Sequence, residues 1–442
     1  MKTSILAAAF LLSLGVWEGC TSGTAMEKKV LKTDYTTTLR APAYPLINSD
    51  PYFGFWSMTE KLYDGETRHW TGKEFPMTGV LRVDGKLYRF MGKEHFPMKP
   101  ILPSSNEEQW QGKYTFRAPL GGGWLQADWD DRAWKDGTAA WGTSNEPNLG
   151  APWETEDIWV RRVFRLDEDL TGRDIYLHYS HDDIFELYIN GKKVVDTGYS
   201  WKYNILEKLP EEIVASLRQG DNVISAHCHN RTGGGYVDFG LFEKQQDNEI
   251  FPQTAQQKSV TVLPTQTYYT FACGPVDLDL IFTSPLLPDD LDLISRPVGY
   301  ITYQTRANDG QQHDVEIYFD TTPQWVVHTD SQPVTVERVE QGSFTYLKTG
   351  TVEQPILKRK GDDVRIDWGY FYLAGHTGED VTMGYGDYQL PKKQFAEKGV
   401  LDITNTETKQ YKMTKYMPVL AYSHKDRYGR RRCHGRCTPH RL

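Results

Sequence analysis

His181-Asp182-Asp183 sets an imidazole beside two carboxylates, the side-chain types that ligate a metal or work as a base oriented by an acid. The competing reading is that the acids accept backbone N–H groups in the turn that leads into the following hairpin, as Asp commonly does. Asp196-Thr197-Gly198 spells the D-T-G of aspartic proteases, whose chemistry needs two carboxylates sharing one proton. The chain holds one such tripeptide, so Asp196 reads as the end of a hairpin strand. Trp56, Arg68, Trp70, Asp367 and Trp368 combine aromatic faces with a guanidinium and a carboxylate. Such a set suits the rim of a pocket for a small polar molecule, the Arg pairing a ligand carboxylate through two bonds, or else simple packing of β-layers. Cys433, His434, Cys437 and His440 mimic a zinc set, but they stand in an arginine run with no apolar frame to hold them. Neither a metal nor a cofactor is expected. No nucleophile with a paired base follows from spacing, so the catalytic residues are unassigned.

These groups sit among signals of β-structure. Phe185, Leu187 and Ile189 alternate with Ile184, Glu186 and Tyr188, Asn190-Gly191 supplies the two positive-φ positions of a type I′ turn, and Lys193 and Val195 resume the alternation. Asp84-Gly85 makes a tight turn between Val80 to Val83 and Leu87 to Met91, giving another hairpin. Residues 209–217, with Pro210 near the start and Gly220 beyond the end, are the one persuasive helical stretch. The abundance of aromatics, 13 Trp and 26 Tyr, and the even spread of turn residues favour stacked antiparallel sheets. The expected fold class is mostly β: an antiparallel β-sandwich, of supersandwich type, with an inserted jelly-roll domain.

The first residues read as a targeting segment. Lys2 precedes an apolar run from Ile5 to Val16, too short to span a bilayer, and Cys20 follows the small Gly19 as in a lipobox. Export is expected, to the periplasm or as an outer-membrane lipoprotein lipidated at Cys20, with cleavage near Ala25 as the other outcome. Cys228 and Cys273 lie in different segments and read as separate buried thiols. Net charge is −9, and the last 18 residues are strongly basic, so the body is more acidic still. That disfavours nucleic acid and anionic lipid as partners. A small-molecule or glycan ligand stays open, and membrane contact is expected only through the anchor at Cys20.

Two blocks carry resemblances. R-A-P-A-Y-P-L-I-N-S-D-P-Y-F-x-x-W, then W-x-G and R-V-D-G-K-x-Y-x-x-M-G, resemble the N-terminal region of the secreted glutaminase A family, and residues 248–424 resemble its central β-sandwich. Between them, 107–245 resembles the galactose-binding-like jelly roll at the front of family 2 glycoside hydrolases, through D-I-W-V-R-R-x-F, D-D-x-x-x-L-Y-I-N-G and G-x-N-x-I. The expected plan is a signal segment at 1–20, a linker at 21–36, glutaminase-like β-structure at 37–95, the jelly roll at 107–245, and the sandwich at 248–424. The residues flanking an insertion should lie close together. From Lys425 onward apolar periodicity stops and Arg and Cys crowd in, so 425–442 is expected to be an aberrant, disordered tail. The resemblance implies an exported glutamine amidohydrolase whose helical domain of six-hairpin type bears the catalysis, with this chain as its non-catalytic N-terminal portion. A carbohydrate-active accessory region or sugar-binding protein is the alternative.

Overall fold

The computed structural model describes residues 9–11, 41–144, 149–245, 247–359, 364–403, 405, 407–426 and 440–441. Cys20 and its neighbours, and most of the basic tail, lie outside them. The described residues are mostly β, built of antiparallel sheets of sandwich and jelly-roll type. They divide into two compact units, one formed by residues before 96 and after 247, the other by 96–247.

In the first unit the Met77–Val83 and Lys86–Met91 hairpin pairs with Val315–Thr321, which pairs with Pro418–Asp426 and then Val381–Asp387. One sheet is thus assembled from chain on both sides of the 96–247 unit. The expected tight turn is there, with Asp84 at φ 48° and Gly85 at φ 82° as in a type I′ turn. A second sheet is the meander Gln256–Leu263, Gln266–Cys273, Val276–Thr283, Tyr300–Ala307, and a third orders Tyr370–His376, Phe344–Thr351, Val334–Gln341 and Lys409–Tyr411. Every sheet sends alternate side chains into one core, which joins Leu81, Phe90, Phe271, Leu280, Leu347 and Phe371. Trp325 lies within it, its ring centroid 4.4 Å from that of Phe55 and 5.0 Å from that of Phe371. Such aromatic pairs add about 0.5–1.5 kcal/mol each beyond the area they bury.

The exit and re-entry of the chain lie side by side, as an insertion requires. Glu94 Oε1 accepts the Phe251 N–H at 2.5 Å, and the Arg89 N–H donates to the Gln253 carbonyl at 2.8 Å. Gly92 is obligatory at the exit. It has φ 67°, and a Cβ there would come within 2.1 Å of the Met77 carbonyl oxygen.

The second unit is built on Ile175–Ile189, which pairs with Lys192–Lys208, Gly220–His229 and Tyr236–Lys244. Asn190 (φ 46°) and Gly191 (φ 84°) form the expected turn, placing Ile189 opposite Lys192. Asp157–Leu166 extends the sheet beyond Gly220–His229. Ile158, Val160, Leu177, Phe185, Leu187, Ile224 and Leu241 fill a separate core.

Two expectations are corrected. The helix in residues 209–217 is the single turn Glu211–Val214, while the longest described helix is Leu390–Lys398. That helix carries Pro391 in its first turn and ends on Gly399 at φ 74°, but its buried face includes Lys392, so no apolar stripe marks it. The tail boundary also moves. The strand Pro418–Asp426 runs two residues past His424, and Asp426 Oδ2 accepts the Thr305 hydroxyl at 2.7 Å.

Candidate functional site: a charged ladder at residues 56–95

Arg68 is hydrogen-bonded through its backbone to Trp56, at 2.7 and 2.9 Å, and pairs across with Glu74 in a short antiparallel ladder. The ladder continues through Phe75 N–H to Thr67 carbonyl (3.0 Å) and His69 N–H to Lys73 carbonyl (2.8 Å), with Gly72 at φ 90° turning the chain. Alternation then divides the side chains. Thr67, His69 and Phe75 point inward and are buried, Phe75 stacking on Trp325 at 5.6 Å. Glu66, Arg68, Glu74 and Trp56 share the other face.

His95, arriving from the end of Lys86–Met91, meets that face. Its Nδ1 lies 3.5 Å from Glu66 Oε1 and 3.3 Å from Glu74 Oε2, while Arg68 Nη2 lies 3.5 Å from Glu66 Oε2 and 3.7 Å from Glu74 Oε1. A second charged group adjoins it. Glu94 and Lys392 are buried 3.8 Å apart, and buried Asp320 accepts the Tyr318 hydroxyl at 2.8 Å. Burial raises both carboxyls, Glu94 and Asp320, against the pull of the Lys392 ammonium.

The five sandwich candidates therefore separate. Trp56 and Arg68 are paired in the ladder, and Trp70 sits at its turn, about half exposed, with Nε1 donating to the Pro51 carbonyl at 2.6 Å. Asp367 is buried elsewhere in the unit, where its Oδ2 accepts Arg359 Nε at 2.5 Å and Gln332 Nε2 at 3.0 Å, so its carboxylate is already occupied. Trp368 beside it is half-buried. Near this cluster His328 is pushed down to about 2 by burial and by the charges of Arg365, Arg359 and Lys73. Glu66, Glu74 and His95 were not singled out in the sequence. The alternation of Glu66, Arg68 and the T-G turn was the available signal for the two acids, but nothing local connects His95 to them.

In the other unit, His181, Asp182 and Asp183 lie within the strand Ile175–Ile189, not in a turn before it. His181 is fully buried between Tyr179 and Phe185, with ring centroids at 6.0 and 5.0 Å, and its Nδ1 lies 2.9 Å from the Asp183 carbonyl oxygen. Burial pushes its imidazole down to about 4, so it is neutral. Asp183 Oδ2 accepts the N–H groups of Arg231 (2.7 Å) and Thr232 (3.1 Å), a capping role for a loop distant in sequence. Asp182 is half-buried on the strand, opposite Trp201. Asp196 is a surface acid 3.0 Å from Lys193 Nζ. Cys228 and Cys273 are free, and burial raises both thiols.

Residues 265–427 match the model of a domain of unknown function, DUF5127, and residues 18–103 match another, DUF4964. Glutaminase A of Aspergillus oryzae (strain ATCC 42149 / RIB 40) is 25% identical over 173 residues, which are 38% of this chain and 24% of that protein. The chain thus aligns with about a quarter of the length of this curated relative. Among solved structures, a glycosyl hydrolase family 2 member from Bacteroides cellulosilyticus DSM 14838 shares 8% identity, with 62% of this chain and 31% of that chain covered at a TM-score of 0.25. A β-glucuronidase from Ruminococcus gnavus shares 10%, with 66% and 46% covered at the same TM-score. Likeness at that score carries no weight for fold or function.

Proposed function

We propose that this chain is the β-rich, non-catalytic N-terminal portion of an exported glutaminase-like amidohydrolase, and that glutamine hydrolysis belongs to residues beyond those it shares with the relative. The similarity to glutaminase A, which reaches over 24% of that protein, carries this reading. The state of Cys228 and Cys273 accords with it. Among the described residues both cysteines are buried with raised thiols, the opposite of an activated thiolate. Secretion through the first 20 residues, and anchoring at Cys20, are part of the proposal. The purified chain should release no ammonia from glutamine. Sustained turnover, lost when a single residue of the 56–95 ladder is replaced, would overturn the reading.

One observation favours the second reading, that the 96–247 unit binds a glycan. Trp159 stacks on His227 at 4.5 Å and 9°, and Asp157 Oδ1 accepts from His227 Nε2 (2.8 Å) and His229 Nδ1 (3.0 Å), giving an aromatic platform edged with polar groups on one face of the sheet. Glycan-array retention that disappears in Trp159→Ala would support it, and no retention would remove it.

A further inference from the structure

The oxygens of Glu66 and Glu74 are divided between two neighbours. Each carboxylate gives one oxygen to Arg68, at 3.5 and 3.7 Å, and turns its other oxygen toward His95 Nδ1, at 3.5 and 3.3 Å. The latter two separations exceed the roughly 2.7–2.9 Å of a charge-assisted N–H···O bond. They fit the edges of a coordination tetrahedron, since bonds of 2.0–2.2 Å place ligand atoms about 3.3–3.6 Å apart. The three ligand atoms all lie within 4.8 Å of one another.

Charge and burial point the same way. The Glu66 and His95 side chains are 7% and 5% exposed, and Glu74 28%, so water does little to screen the Glu66 carboxylate and screens Glu74 in part. Glu94 precedes His95 in the chain, and Asp320 lies next to this group. Carboxyl groups are thus concentrated here, with Arg68 set against Glu66 and Glu74 and Lys392 against Glu94. Trp56 shares the ladder face with Arg68 and Glu74, and its buried Nε1 has no hydrogen-bond partner among the described residues, a donor suited to a water or anion held there.

We propose that Glu66, Glu74 and His95 hold a divalent transition-metal ion of the zinc class, with Arg68 fixing the two carboxylates from outside. One imidazole with two carboxylates suits zinc better than calcium or magnesium, which prefer an all-oxygen shell. Arg68 acts as outer partners of metal ligands do, orienting them through their second oxygens. The ion would tie the 66–75 hairpin to the segment on which the chain leaves the unit, and its three protein ligands would leave a fourth position to water.

The test uses the full chain, stripped with a chelator and titrated with Zn²⁺ by calorimetry and elemental analysis, and with Co²⁺ by visible absorption. The wild type is expected to take up one equivalent, to show the intense bands of tetrahedral Co²⁺, and to melt at a higher temperature with Zn²⁺. His95→Ala should lose the equivalent, and Glu74→Gln should weaken it at least about tenfold. Replacing Cys433 and Cys437 by Ser should leave it intact. Glu74→Gln keeps the test decisive if His95→Ala does not fold, because its side chain is the most exposed of the three. No uptake at micromolar Zn²⁺, uptake indifferent to both variants, or uptake lost with the cysteines would each overturn the site.

Discussion

The two units bury histidine in opposite ways. In the 96–247 unit His181 is enclosed by the rings of Tyr179 and Phe185, and one backbone carbonyl is its polar neighbour. In the other unit His95 is enclosed by the carboxylates of Glu66 and Glu74, with Arg68 behind them. The side chain is the same and the burial similar, but the surroundings assign different chemistry. An apolar sleeve expels charge and leaves a packing element, whereas a ring of acids invites a cation.

The largest effect that would break this contrast lies beside His95. Lys392→Met should destabilise the sandwich unit by about 3–5 kcal/mol near neutral pH, because Glu94 and Asp320 lose their buried counter-charge. Urea denaturation measures the loss, which should shrink on acidification as the two raised carboxyls protonate. A loss under about 1 kcal/mol would show that buried charge is not what organises this region.

His181 sharpens the other half. Its folded value of about 4 lies below the ordinary 6.5, so the unfolded chain binds the proton more readily. The stabilisation is therefore complete above pH 6.5 and is lost as pH falls toward 4, by up to about 3 kcal/mol. Denaturation midpoints of the 96–247 unit against pH should show that slope in the wild type and not in His181→Phe. Asp183→Ala strands the Arg231 and Thr232 N–H groups and should cost about 1–3 kcal/mol, with hydrogen exchange quickening at those two amides. The smallest effect is expected at the partly exposed pair of Asp157 with His227, where Asp157→Asn should change stability by under about 1 kcal/mol.

Much of the fold was legible because its signals are local. Asn190-Gly191 and Asp84-Gly85 turn the chain where their backbone preferences dictate, and alternation on either side identifies the strands. The helix Leu390–Lys398 was not legible, since a buried lysine stands where an apolar residue would mark its face. The acids beside His181 were placed in a turn because Asp so often caps one. The amides that Asp183 actually caps lie 48 and 49 residues further on. Arg68 was singled out for the chemistry of its fork, but Glu66, Glu74 and His95 were missed, because their spacing follows no ligand pattern.

By itself, then, the sequence determined the β class and the tight turns, which rest on backbone preference and on side-chain alternation between neighbours. It also carried the glutaminase-like resemblance, as a string of residue types. Tertiary structure alone decided which charged groups meet. His95 reaches the 66–75 hairpin because Gly92 permits the turn at which the strand Lys86–Met91 ends, and Lys392 is brought to Glu94 by a helix nearly 300 residues away. Electrostatics inside a protein depends on distance and burial, and both belong to the folded chain rather than to the order of its residues.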